Sequence, residues 1–112
     1  MNQWDIYMFP FSKEKRHPAI VISNDETCAN SDIAEVNVLL CTSSRASRPA
    51  KVTEVLLDEA DGLDWQTLAR CDKIYLLPKA TFSERKGSVT KERRHLIGRK
   101  IVEVLRLPIF RQ

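Results

Sequence analysis

A series of strand-like apolar segments followed by a single helix-like segment constrains the fold of this chain more than any other feature of its sequence. Five runs rich in apolar residues lie at 4–9, 17–23, 36–41, 52–57 and 68–77, and residues 87–89 are a candidate sixth strand. Helical spacing of apolar residues occurs only near the C-terminus. Because helices do not alternate with strands, a doubly wound parallel sheet is disfavoured. The order predicts a mainly β domain, a small antiparallel barrel or curled sheet with one C-terminal helix.

The second run shows how such a sheet is covered. Ala19, Ile20, Val21 and Ile22 are consecutive apolar residues. Successive side chains of a strand point to opposite faces, so an uninterrupted apolar run predicts a strand buried on both faces. Further along, residues 58–63 have turn composition, and Gly62 can supply a positive φ there.

The C-terminal helix is predicted to begin after Thr90, a suitable N-cap, and to end before Pro108. Glu92 in its first turn favours the positive end of the helix dipole. The apolar residues that repeat at helical spacing are Leu96, Ile97, Ile101, Val104 and Leu105. Gly98 costs about 1 kcal/mol relative to alanine inside a helix, so we expect a close packing contact at that position.

Length and charge limit the function classes only loosely. A chain of 112 residues suits one domain, residues 1–112, with one core. A formal net charge of +3 is too small to indicate a nucleic-acid binder by itself. Residues 54–64 carry acidic but no basic side chains, whereas the charged residues of 85–112 are mostly basic. This asymmetry indicates either a phosphate-binding surface with an acidic rim or an ordinary solvated helix.

The cysteines and the apolar runs suggest an intracellular environment. The three cysteines, Cys28, Cys41 and Cys71, lack CxxC spacing, so neither a zinc site nor a disulfide framework is expected. Cys41 and Cys71 lie in apolar runs and are predicted core residues of a reduced protein. The N-terminus does not resemble a signal peptide, and no apolar run approaches the ~20 residues of a membrane span. We therefore expect a cytoplasmic protein.

Five segments occur in an order that resembles a known family. They are 5–7 (DIY), 16–25 (RHPAIVISND), 39–43 (LLCTS), 71–74 (CDKI) and 87–90 (GSVT). Together they resemble the MazF/PemK toxins over about residues 4–107. The resemblance implies an SH3-like barrel, shared with CcdB toxins, and a homodimer. It also implies a toxin of a type II toxin–antitoxin system that cleaves single-stranded RNA or mRNA sequence-specifically, needs no metal or other cofactor, and is neutralised by a cognate antitoxin protein.

Metal-free cleavage of RNA uses the 2′-hydroxyl as nucleophile, and the resemblance places the catalytic groups at Arg16, His17 and Thr42. Arginine offers fixed donors to phosphate, and histidine can transfer protons near neutral pH. The family usually has arginine directly before the proline, where this sequence has His17. Because neighbouring strand residues point to opposite faces, our hypothesis is that His17 takes the family arginine's direction and Arg16 assists. Alternatively, His17 is a solvent-facing residue before Pro18.

The segment after the third strand, residues 42–49, is predicted to be a loop that binds phosphates. The hydroxyls of Thr42, Ser43 and Ser44 can hold the scissile phosphate, and Thr42 matches the family's hydroxyl residue. Arg45 and Arg48 suit the RNA backbone. The alternatives are an ordinary turn and exposed arginines.

The fifth strand departs most from the family. Some members have an arginine and an acidic residue at the positions of Tyr75 and Leu77, and a leucine cannot transfer a proton. Tyr75 can stack a base or else pack under the helix. Lys73 can bind RNA, although a salt bridge with Asp72 explains both residues equally well. Trp65 is expected to pack in the core.

Two other functions compete with the ribonuclease. The departures at His17, Tyr75 and Leu77 suit a catalytically weakened relative that binds RNA or an antitoxin. A protein-directed poison similar to the gyrase-inhibiting CcdB toxins follows from the shared barrel alone.

Overall fold

The computed structural model describes residues 1–10, 15–43 and 48–109. Six strands alternate with short turns before the long helix. The strands are β1 (Asp5–Pro10), β2 (Arg16–Val21), β3 (Glu35–Ser43), β4 (Glu54–Leu57), β5 (Thr67–Pro78) and β6 (Glu84–Ser88). The helices are α1 (Asp25–Ala29) and α2 (Lys91–Leu105), and single 3₁₀ turns lie at Glu59–Asp61 and Lys79–Thr81.

The strands form one antiparallel sheet in the order β4-β5-β3-β2-β1-β6. One buried cluster contains Val55 from β4 and Ile6 from β1, although three strands separate them in the sheet. A flat sheet could not bring these side chains together, so the sheet curls around a shared core. Helix α2 packs on that core through Ile97. The predicted mainly β fold with a C-terminal helix is confirmed.

Strand β2 is buried on both faces, as its apolar run predicts. Ile20 joins the core inside the curl, whereas Ala19 and Val21 join a second cluster on the outer face. The sheet therefore separates an inner and an outer apolar layer. Arg16 and His17 are the first two residues of this strand.

The cysteines lie in these layers. All three are free and buried, and Cys41 and Cys71 belong to the inner core, as predicted. Burial raises the pKa of the Cys71 thiol to about 11. In residues 1–10, 15–43 and 48–109, no helix is long and apolar enough to cross a membrane.

Strand β5 contains a β-bulge of three extra residues where it pairs with β3. Leu39 pairs with Ile74 and Cys41 with Ala69, so four residues of β5 lie opposite the single residue Leu40. Three extra residues are an odd number, and an odd insertion exchanges the two faces of the strand. Side chains before and after the bulge can therefore reach the same face even when their spacing in sequence is odd.

Helix α2 begins as predicted, because the Thr90 hydroxyl accepts a hydrogen bond from Arg93 N. It ends at Leu105, before Pro108, and Arg106 follows in the left-handed conformation with φ of 46°. The expected packing contact at Gly98 is wrong, because an added Cβ would meet no atom within 4 Å. Of the apolar residues at helical spacing, only Ile97 is fully buried, and Leu96 and Leu105 are exposed.

Two glycines should therefore respond oppositely to alanine. Gly98→Ala is expected to raise the free energy of unfolding by about 1 kcal/mol, because alanine is the better helix former and the space is empty. Gly62→Ala is expected to lower it by roughly 1–3 kcal/mol, because Gly62 has φ of 92° and its Cβ would lie 2.6 Å from the Lys86 carbonyl oxygen. Urea denaturation of both variants checks this. A loss of stability in Gly98→Ala would contradict the empty space that the structure shows beside Gly98.

Candidate active site

An open groove of about 720 Å³ runs past the start of β2 and the end of β3. Its walls include Arg16, His17, Thr42 and Ser43, with the loop before β5 and strand β6 on the other side. The three predicted catalytic residues are thus brought to one place by the sheet. Ser43, a predicted RNA-binding residue, lines the same groove.

A second, smaller cavity of about 180 Å³ adjoins the groove. His17 and Thr42 line both spaces, and the small cavity also contains Arg70, Lys73 and Tyr75. The β2–β3 pairing ends with Ala19 opposite Leu40, and continuing it by two residues sets His17 opposite Thr42. Directly opposed strand residues point to the same face, so this register puts His17 and Thr42 on one face of the sheet, where both line the two cavities.

Arg16 is held in a chain of charges along the groove. Its guanidinium lies 3.2 Å from a Glu84 carboxylate oxygen and donates to the Ser83 hydroxyl at 3.2 Å. Lys86 Nζ lies 3.8 Å from Glu84 and 3.2 Å from Asp64. Arg16 and Glu84 are about half exposed, so solvent weakens their attraction and an incoming phosphate can compete for Arg16.

Thr42 and Ser43 are the last residues of β3, so the prediction that residues 42–49 are all loop is wrong at its start. Both pair with β5, Thr42 with Leu68 and Ser43 with Thr67, which fixes their direction. The Thr42 hydroxyl oxygen is buried and has no hydrogen-bond partner among the described residues. A buried polar atom of this kind is costly to leave unsatisfied and is often found at a functional site.

The bulge in β5 brings polar side chains from both of its sides to the small cavity. Arg70 and Lys73 differ by an odd number of positions, yet both line the small cavity. Asp72 forms an intra-sheet salt bridge, the alternative to a site role, and its partner is Arg70 at 3.1 Å. Tyr75 is 36% exposed and faces this cavity.

Arg70 is a cation that the sequence reasoning missed. It lies two residues after Leu68, which pairs with Thr42, so it shares the Thr42 face of the sheet and lines the small cavity with His17. Leu77, at the position of the family's acidic residue, packs against the outer apolar layer.

Arg48, one of the predicted RNA-binding arginines, is held in an ion pair with a buried carboxylate. Both terminal nitrogens of the Arg48 guanidinium donate to the buried carboxylate of Glu54 at 2.8 Å. This pairing holds the pKa of Glu54 at about 2. Arg48 is absent from the described lining of both cavities. Ser44 and Arg45 lie outside the described residues.

Trp65 is not a core residue, contrary to the sequence expectation. Its side chain is 46% exposed and lines the large groove. Leu63 and Thr67, two residues before and after it, are buried and anchor the loop. The sequence signal that could have revealed this is the polar run Asp64–Gln66 around the tryptophan, written DWQ.

The fold and the groove define a small SH3-like β-barrel protein with a polar cleft of arginine, histidine and hydroxyl groups. The chain belongs to the family of PemK-like, MazF-like toxins of type II toxin–antitoxin systems, whose family model matches residues 2–105. No curated protein matches it significantly by sequence.

Solved structures with the same fold cover nearly the whole chain. A mycobacterial endoribonuclease in complex with its cognate antitoxin is 21% identical, with a TM-score of 0.78, over 96% of this chain and 97% of that chain. The Mycobacterium tuberculosis toxin MazF-mt6 is 17% identical, with a TM-score of 0.76, over 92% and 97%. A MazE–MazF structure from Deinococcus radiodurans is 17% identical, with a TM-score of 0.73, over 94% of each chain.

Proposed function

We propose that this protein is a toxin endoribonuclease that cleaves single-stranded RNA without a metal ion. The observation that carries the proposal is the junction of the two cavities, because His17 and Thr42 line both of them and Arg16 lines the larger one. An RNA chain crossing this junction presents one phosphate to three different kinds of polar group.

The chemistry follows from what each group can do. The imidazole of His17 takes the proton of the 2′-hydroxyl, whose oxygen attacks the adjacent phosphorus. The Arg16 guanidinium offsets the charge that develops on the phosphorane oxygens, and Thr42 holds the phosphate in line. The bond from phosphorus to the 5′-oxygen breaks, and that oxygen takes a proton from a solvent water, while His17 later releases its proton to the solvent. The products are a 2′,3′-cyclic phosphate and a 5′-hydroxyl.

Flanking nucleotides bind on either side of this phosphate. In the small cavity, Tyr75 offers an exposed ring for stacking, and Lys73 and Arg70 offer cations for the backbone. Ser43 contributes a hydroxyl within the large groove.

The residues that follow β3 belong to the same proposal. Ser44 and Arg45 continue the chain from Ser43 and are proposed to contact the same RNA. Arg48 reaches phosphate only if it leaves Glu54, so we propose that it acts at the margin of the substrate.

We also propose a cytoplasmic homodimer that is neutralised by a cognate antitoxin. The mycobacterial and Deinococcus structures with the same fold contain an endoribonuclease with its cognate antitoxin and MazE with MazF. An acidic antitoxin segment suits this chain because it would compete with phosphates for Arg16, Lys86 and Arg70.

The decisive measurement is cleavage of a long, mixed-sequence RNA by the purified protein in excess EDTA. We expect cuts at a defined sequence, with 5′-hydroxyl ends that accept phosphate from polynucleotide kinase directly. Arg16→Ala and Thr42→Ala are each expected to reduce cutting by roughly 10²- to 10³-fold, because each removes a group that stabilises the transition state.

Arg99→Ala is the matched control, because Arg99 is an exposed arginine of α2 away from the groove. It should cut like the wild type. Cutting that requires a divalent ion, or variants as active as the wild type, would contradict the proposal.

A second candidate is a relative that binds RNA or an antitoxin without cutting. It is favoured by Leu77, which is packed in an apolar layer and cannot transfer a proton. Tight RNA binding with no cutting by a folded protein would select this alternative.

A further inference from the structure

Two aromatic side chains of the described residues are more than one third exposed, and each lines a different cavity of the candidate active site. Tyr75 lines the small cavity, and Trp65 lines the large groove. By contrast, Tyr7, Phe9 and Phe82 pack against the outer apolar layer. The exposed rings therefore lie in different cavities, and His17 and Thr42 line both of them.

The loop that carries Trp65 is fixed at both ends. Before it, Asp61 is 1% exposed and accepts hydrogen bonds from Thr90 N and Arg93, which ties the loop to helix α2. After it, the hydroxyl of Thr67 donates to the Trp65 carbonyl oxygen at 3.1 Å. A large apolar surface held on a rigid loop costs little conformational entropy when a ligand covers it.

Charges beside Trp65 suit a nucleotide more than an apolar ligand. Lys86 lies between Asp64 and Glu84 at 3.2 and 3.8 Å, and Lys15 also lines the groove. A base lying on the indole would leave its phosphate near these cations. Stacking on an aromatic ring is open to any base, and neighbouring carboxylates can select among base edges.

We propose that Trp65 is a stacking platform for one RNA base, on the far side of the scissile phosphate from Tyr75. This inference rests on the proposed ribonuclease function and adds a specificity-determining residue to it. The groove then reads a nucleotide that is displaced from the bond being cut. Loss of the indole removes stacking that is worth roughly five- to a hundredfold in affinity.

The first test compares the cut-site sequence profiles of wild type, Trp65→Ala and Trp65→Phe on one mixed-sequence RNA. We expect Trp65→Ala to lose base preference at one flanking position and to keep it at the others, and Trp65→Phe to retain most of it. Gln66→Ala is the control, because Gln66 is the exposed neighbour outside the groove lining. A structural defect would instead weaken every position together, and an unchanged profile would overturn the proposal.

The second test does not depend on cutting. Tryptophan fluorescence is titrated with 2′-O-methyl oligouridine and oligoadenosine, which lack the nucleophilic hydroxyl. We expect quenching in the wild type and little in Trp65→Phe, which retains only Trp4. Equal quenching in both proteins, or none in the wild type, would overturn the inference. Quenching without any cleavage would reject the ribonuclease function and keep Trp65 as a nucleic-acid contact.

Discussion

Replacing His17 with alanine is expected to lower the rate of RNA cleavage by roughly 10²- to 10⁴-fold, because general base catalysis contributes about that factor. His17 lines both cavities together with Thr42, and no other side chain of the described lining offers an imidazole there. Single-turnover cleavage of an oligonucleotide that spans a mapped cut site measures the effect.

Imidazole added to the His17→Ala variant distinguishes proton transfer from positioning. The small cavity is open beside the missing ring, so free imidazole should restore part of the rate if His17 transfers the proton. His95→Ala is the matched control, since the chain has two histidines and His95 is exposed on α2. A rate within a few-fold of wild type, with thermal stability unchanged, would remove His17 from the mechanism.

The order of elements was predictable because it depends on local patterns. Apolar runs of strand length, Gly62 with its positive φ, and Thr90 as N-cap are properties of a few neighbouring residues. The double burial of β2 also followed from four consecutive apolar residues. These features persist because tertiary packing agrees with the local preference.

The errors came from pairing between distant segments. Thr42 and Ser43 look like loop residues, but the ladder to Leu68 and Thr67 extends β3 over them. The bulge in β5 depends on its register against β3, which no local pattern encodes, so the meeting of Arg70 and Lys73 at one cavity could not be predicted. Trp65 has core character by residue type, yet its loop is already anchored by smaller neighbours, and the ring is left at the groove.

The contrasting charges of residues 54–64 and 85–112 meet inside the fold and not only at the surface. Arg93 of helix α2 donates to Asp58 and Asp61 at 2.6 Å each. The pKa of Asp58 is lowered chiefly by its hydrogen bond from Arg93. Part of the basic segment therefore fastens the helix to the acidic turn, and the cations at the groove come from β2, β5 and β6.

Replacing Asp61 with alanine is expected to lower the free energy of unfolding by about 3 kcal/mol, because it leaves buried donors without their acceptor. The Asp61 carboxylate accepts from Asp58 N at 3.0 Å, Thr90 N at 2.9 Å and Arg93 at 2.6 Å. One side chain thus closes its own turn, caps the approach to α2 and pairs with the helix. Urea denaturation at neutral pH gives the value.

Asp58→Ala is the control that distinguishes the loss of the buried Asp61 hydrogen bonds from the loss of one negative charge beside Arg93. Asp58 pairs with the same arginine, but its side chain is 34% exposed, so water can replace it and the loss should be closer to 1 kcal/mol. In the double variant Asp61→Ala/Arg93→Ala, the cost should fall well below the sum of the single variants, because the unpaired guanidinium is gone. Equal, additive losses would mean that Asp61 and Arg93 are not coupled. The anchoring of the Trp65 loop would then have to come from Leu63 and Thr67.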